Sequence, residues 1–293
     1  MKKGNAKSIR AILKNIADKE SIDFQLLIIR YLHERLLYRI ANSKYANNFI
    51  LKGGALLYAI EGLHIRPTVD IDMLAKRINN DEGQIKQIFR TICDVKYDDD
   101  CVIFNINSLE TADISKDEKH SCIRIFVESQ FDTIRQRLQI DIGFGDVITP
   151  EPVLISYPTL LDELSSPKIM AYSIETIIAE KFEAMIALSI LNSRMKDFYD
   201  VYTLLNNNKI ENYNLRSAIF QTFIQRDTNF TENHPLFSES FYEDKYRQTM
   251  WKAFLRKIGY PDDLDFSIVV KSIVERLYPI YYELKNNKFS FEK

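Results

Sequence analysis

Two aspartates, Asp70 and Asp72, stand in the run Val69-Asp70-Ile71-Asp72-Met73-Leu74, where polar and apolar residues alternate at first. Alternation predicts a strand, and on a strand positions i and i+2 project from one face. Two neighbouring carboxylates can bind one divalent cation or bridge two, which an isolated aspartate cannot do. They also repel each other unless a positive charge lies between them, and a metal ion removes that cost. Taken alone, Asp-x-Asp on a strand is a surface pattern more often than a metal site. Upstream, the apolar Phe49-Ile50-Leu51 stops at Lys52-Gly53-Gly54, and helix formers resume from Ala55 to Ile60. This reads as strand, glycine turn, helix. A glycine pair there offers unobstructed backbone N–H groups and a positive dipole end to a phosphate, although a lone Gly-Gly is usually only a turn. The order strand, Gly-Gly, helix, then Asp-x-Asp on a following strand is much rarer than either part, and it points to a nucleotide and metal site.

A second group of charges lies downstream. Lys181 interrupts an apolar stretch, Ile177, Ile178, Ala179, Phe182, Ala184 and Met185, where its head either snorkels from a core helix or serves a site. Arg194, Asp197 and Asp200 follow at spacings of three, so they share one helix face, and the plain reading is a solvated ion-pair row.

The elements that must carry these residues follow from periodicity. Helical spacing covers residues 8–17, 22–42 and 81–93, and strand-like runs rich in Ile, Val and Phe cover 102–107, 122–129 and 136–144. After Pro150, Pro152 and Pro158 the texture becomes helical, over 173–191, 195–206, 213–225, 239–257 and 265–286, with few strand candidates. Helices and strands mix without regular alternation, so the fold class is α+β. The expected architecture is a mixed-sheet domain over residues 1–160 and an all-helical domain over 161–293, with the boundary near 155–165.

Composition narrows the function classes. Lys plus Arg at 39 against Asp plus Glu at 41 gives a net charge of −2, so no global field draws the chain to nucleic acid or membrane. The first 50 residues nonetheless carry a local excess of basic residues, Lys2 and Lys3 among them. They form either a phosphate-facing surface or, more commonly, a solvated basic helix face. Glycine and proline number eight each, less than half of average usage, so glycine placement carries information. Cys93, Cys101 and Cys122 form no Cys-x-x-Cys pair and read as reduced thiols of a cytosolic protein. No apolar run reaches the roughly 18 residues of a membrane span. His33, His64, His120 and His234 show no zinc spacing and read as surface or capping residues. No Gly-x-Ser-x-Gly elbow and no Walker or dinucleotide fingerprint is present. The aromatic series Phe237, Phe241, Tyr242, Tyr246, Trp251 and Phe254 reads first as a helical core stripe.

The run Lys52-Gly53-Gly54-Ala55-Leu56, with Arg66, Thr68, Asp70, Ile71 and Asp72, resembles the signature of the AbiEii/AbiGii nucleotidyltransferase-like toxins of abortive infection and type IV toxin–antitoxin systems. Ala179-Glu180-Lys181-Phe182-Glu183-Ala184 and the later Arg194, Lys196, Asp197, Phe198, Tyr199, Asp200 are similar to that family's later motifs, and Trp251, Phe254 and Leu255 to its C-terminal end. The resemblance implies metal-dependent transfer of a nucleotidyl group from a nucleoside triphosphate, with Mg²⁺ or Mn²⁺ held by Asp70, Asp72 and a third carboxylate on a neighbouring strand. Asp141 is the better candidate for that third group and Asp146 the alternative. It further implies that Lys52, Gly53, Gly54, Arg66, Thr68 and Lys181 bind the nucleotide in a groove between the two domains, with Asp197 or Asp200 holding Lys181. The family also implies an RNA acceptor, the 3′ end of tRNA, a cognate antitoxin, and a cytoplasmic setting without a membrane partner. A phosphotransferase, a protein nucleotidylating enzyme and a catalytically inert interaction module on the same scaffold are the competing expectations.

Overall fold

The computed structural model describes residues 5–114, 121–146, 148–260 and 263–286. Lys2, Lys3 and His120 lie outside the described residues. The chain divides into two compact units, Met1–Asp146 with Pro152–Tyr172, and Val147–Glu151 with Ser173–Lys293.

In the first unit, α1 (Ala6–Lys19) and α2 (Phe24–Ala41) begin at side-chain caps. Asn5 accepts the backbone N–H groups of Lys7 and Ser8, and Asp23 accepts that of Leu26. There follow β1 (Phe49–Lys52), α3 (Gly53–Glu61), β2 (Asp70–Ala75), α4 (Glu82–Cys93), β3 (Val102–Asp113), β4 (Cys122–Phe131), β5 (Ile134–Phe144), β6 (Val153–Ser156) and β7 (Lys168–Ala171). All seven strands join one mixed sheet in the order β3-β4-β5-β2-β1-β7-β6. The strand β2 runs antiparallel to β1 and parallel to β5, which places it at the centre. Period-2 patterning sets the faces. Ile123, Ile125 and Val127 of β4 and Leu138, Ile140 and Ile142 of β5 are buried, while Arg124, Gln139 and Asp141 alternate with them.

The basic excess of the N-terminal segment is not a surface feature throughout. Arg30, Arg35 and Arg39 are buried on α2, a correction to both expectations for these three residues, while Lys7, Lys14 and Lys19 on α1 are exposed. Each arginine serves the fold. Arg30 donates to the carbonyls of Leu63 and Ile65, and Arg35 to that of Ser165. Arg39 pairs with buried Asp100, which in turn accepts the backbone N–H of Val102. A buried guanidinium is tolerated only when so many acceptors converge on it. His33, expected at the surface or a cap, is also buried on this helix.

The strand β6 lies between Pro152 and Pro158, and β7 follows them, where few strands were expected. They are too short for periodicity to reveal, and β7 is specified by pairing with β1 (Leu51 opposite Ala171). The first unit therefore runs on to Tyr172, past residues 155–165. In the second unit the helices are α5 (Ile174–Leu188), α6 (Met195–Asn207), α7 (Asn212–Gln225), α8 (Glu239–Tyr242), α9 (Lys245–Ile258) and α10 (Phe266–Asn286). The single helix expected over 239–257 is two, because Asp244 caps a new start at Lys245 through the backbone N–H of Arg247. Phe182, Phe198, Phe223, Trp251 and Tyr281 fill its core. The aromatic stripe is thus only partly core, since Phe241 and Trp251 are buried while Tyr246 is exposed. No described helix is long and apolar enough to cross a membrane.

Candidate active site

Strand register brings the sequence-predicted carboxylates together. Lys52 of β1 lies opposite Asp72 of β2, Asp72 lies beside Asp141 of β5, and Asp141 lies opposite Arg124 of β4. A charged row thus crosses four strands, with Asp70 two positions along β2 on the same face. Asp70, Asp72 and Asp141 each offer a carboxylate oxygen within 4.8 Å of the others. All three donors are hard oxygens, the set that suits Mg²⁺ or Mn²⁺.

The glycine pair is required by this geometry. Gly53 opens α3 with φ +66°, and a Cβ on it would stand 1.9 Å from Asp72 Oδ2. A Cβ on Gly54 would stand 2.6 Å from Thr68 Oγ1. The turn therefore presses directly on the two residues that shape the carboxylate pair. Thr68 Oγ1 donates to Asp70 Oδ1 at 2.5 Å, which fixes the rotamer of that aspartate. Arg66 is half-buried in the segment leading into β2.

Of the two candidates for the third carboxylate, Asp141 is the one in register with Asp72. Asp146 lies beyond β5 and pairs with Lys52 Nζ at 2.8 Å, so Lys52 is tethered beside the row. Sequence reasoning missed Arg124. Its Nε and Nη2 donate to Asp141 Oδ1 and Oδ2, both at 2.8 Å, and this bonding raises the Arg124 pKa above its ordinary value. The signal was available in Cys122-Ile123-Arg124-Ile125, where alternation aims Arg124 at the polar face.

Two other titratable groups border the row without joining its chemistry. Burial, then the charge of Asp141, pushes the Cys122 thiol up to about 11, so it is no nucleophile near neutral pH. Burial holds His33 down at about 4 even though the charge of Asp70 opposes it, so the imidazole is neutral.

Lys181 and its expected partners form a separate cluster in the second unit. Lys181 Nζ lies 2.7 Å from Asp197 Oδ1 and 2.7 Å from Asp200 Oδ2. Arg194 Nε approaches Asp197 Oδ2 at 2.6 Å, a charge contact without hydrogen-bond alignment. Asp197 and Asp200 are fully buried, which corrects the reading of a solvated row. The neighbouring glutamates are structural: Glu183 accepts Arg226 Nη1 and Thr228 Oγ1, and Glu180 lies 3.2 Å from Arg226 Nη2.

Comparison with known proteins bears on the fold and the family. Two crystal structures from Helicobacter pylori share the fold. One is JHP933, with TM-score 0.50 and 16% identity, the match covering 89% of this chain and 94% of that one. The other is a candidate nucleotidyltransferase, with TM-score 0.52 and 15% identity, covering 92% of this chain and 100% of that one. A search of curated proteins finds no match. Residues 35–272 match the family described as nucleotidyl transferase AbiEii toxin, type IV TA system. That span holds the glycine turn, the carboxylate row and the Lys181 cluster, and the chain belongs to the AbiEii family of nucleotidyltransferase toxins.

Proposed function

We propose that the protein transfers a nucleotidyl group from a nucleoside triphosphate to a hydroxyl of RNA, with Mg²⁺ or Mn²⁺ held by Asp70, Asp72 and Asp141. The observation that carries this reading is the convergence of those three carboxylates to within 4.8 Å on adjoining strands. Held by Asp70, Asp72 and Asp141, a divalent cation would supply charge neutralisation at the triphosphate and a lowered pKa for the attacking hydroxyl. The chain's own residues supply position. Gly53 and Gly54, at the N-terminus of α3, would offer backbone N–H groups to phosphate oxygens, and the family resemblance assigns Lys52, Arg66 and Thr68 to the nucleotide as well. Thr68 orients Asp70 through its hydroxyl. The family resemblance assigns Lys181, paired with Asp197 and Asp200, to the nucleotide phosphates.

Family membership supports the finer reading that the acceptor is the 3′ end of tRNA and that a cognate antitoxin restrains the activity. The three cysteines are free, which suits a reducing cytoplasm. The test is incubation of the chain with total cellular RNA and protein and each radiolabelled nucleoside triphosphate in turn, beside Asp72→Ala. Label in small RNA, absent from the Asp72→Ala reaction while that variant keeps its thermal transition, is the expected result. Label in protein alone would replace RNA by a protein acceptor, and equal label with the variant would end the catalytic reading.

A further inference from the structure

Asp141 differs from Asp70 in its partners. Arg124 grips both Asp141 oxygens through two 2.8 Å hydrogen bonds, and Gln139 Nε2 adds a 3.3 Å contact to each. Asp70 accepts only the Thr68 hydroxyl and makes no ion pair among the described residues. The Arg124 grip is set by the sheet, because Arg124 and Asp141 are directly opposed across β4 and β5. A bidentate guanidinium engages the same carboxylate oxygens that a metal ion would use, and it sets a fixed positive charge beside them.

We infer that Arg124 acts as a built-in cation that withholds Asp141, so that the nucleotide-free protein takes one divalent ion at Asp70 and Asp72 and a second only after Arg124 leaves Asp141. A triphosphate is the group on the reaction path able to draw the guanidinium away, since phosphate oxygens match its planar fork. Arg124 is then a positioning residue that orders assembly: nucleotide first, second ion afterwards. The inference rests on the metal reading proposed above.

The test is a Mn²⁺ titration of the full chain, followed by electron paramagnetic resonance, without nucleotide. The parent protein, Arg124→Met, Asp72→Ala and the double variant Arg124→Met/Asp141→Asn are compared. The parent is expected to bind one ion, and two once a non-hydrolysable triphosphate is added. Arg124→Met is expected to bind two without nucleotide, with affinity raised on the order of tenfold by loss of the adjacent positive charge. The double variant returns to one. Arg124→Lys keeps the charge and loses the fork, so it falls between, and it serves where the methionine variant does not fold. Parent-like stoichiometry and affinity in Arg124→Met, with binding lost in Asp72→Ala, would overturn this inference and leave the metal reading standing. Absence of Mn²⁺ binding in every protein, nucleotide present, would overturn both.

Discussion

The glycine turn gives the most direct test of how the backbone sets the carboxylates, through the variant Gly53→Ala. At φ +66° an alanine pays a left-handed backbone penalty of roughly 1–2 kcal/mol. Gly259, at the end of α9, has φ +68° and nothing within 4 Å of an added Cβ, so Gly259→Ala carries the backbone penalty alone. Gly53→Ala adds the overlap with Asp72, so it should lose more stability than Gly259→Ala, whose backbone penalty lowers Tm by about 2–4 °C per kcal/mol for units of this size. Only Gly53→Ala must also move Asp72, because Oδ2 at 1.9 Å has to retreat to an ordinary contact of 3.4 Å. A displacement of about 1 Å at a catalytic group costs on the order of 100-fold in rate. Thermal unfolding and nucleotide transfer measured on the same preparations separate the two effects. If Gly53→Ala turns over as fast as Gly259→Ala, Asp72 is not the group that the turn positions, and the reasoning fails.

Three further outcomes follow from the buried charges. Lys181→Met removes the ammonium that contacts both buried Asp197 and buried Asp200, and loss of one partner of a buried pair costs about 3–5 kcal/mol, so its Tm should fall well below that of any surface lysine variant. Burial pushes Glu34 up to about 7 from its ordinary 4.5, so the folded state holds a proton that the unfolded chain has released. That contribution shrinks as pH rises from 4.5 to about 7, by up to ~1.4 kcal/mol per unit. His33, held down at about 4 from 6.5, contributes with the opposite sign over its own window. Glu34→Gln removes only the first effect, and denaturant curves should show the variant gaining on the parent steadily across that range; a constant offset would refute the assignment. Cys122, pushed up to about 11, should react slowly with a thiol reagent at about pH 8, and rapid labelling of that residue would contradict its protonated state.

Much of the site was legible because its pieces are local. Strand, Gly-Gly, helix and Asp-x-Asp each follow from spacing over a few residues, and alternation aimed Asp70 and Asp72 at one face. The preference for Asp141 over Asp146 came from its setting among apolar strand residues, and Asp141 lies in register with Asp72. What could not be read was long-range. The pairing of Arg124 with Asp141 spans 17 residues, and that of Lys52 with Asp146 spans 94. The strand β7 has four residues and owes its place to β1. Arginines on α2 looked like surface charge because a helix pattern does not reveal that carbonyls from 33 to 130 residues away close over it.

The same row bears on why an aspartate pair persists in the middle of a sheet. Lys52, Asp72, Asp141 and Arg124 sum to zero formal charge across four strands, and Asp70 and Asp146 then add two negative charges. Arg124 answers Asp141 with both its hydrogen bonds, so the repulsion that a third carboxylate would add is already offset within the fold. Asp70, on the same strand face as Asp72, carries part of that surplus, and Gly53 at φ +66° approaches Asp72 closely. A divalent ion bound there would offset that surplus, and a triphosphate would then meet a neutralised row instead of an acidic one. Metal and nucleotide should therefore bind with positive coupling, each raising the affinity of the other by the same factor. Calorimetric titration of Mg²⁺ with and without a non-hydrolysable triphosphate measures that factor, and a value of one would mean that the surplus charge has no bearing on the nucleotide.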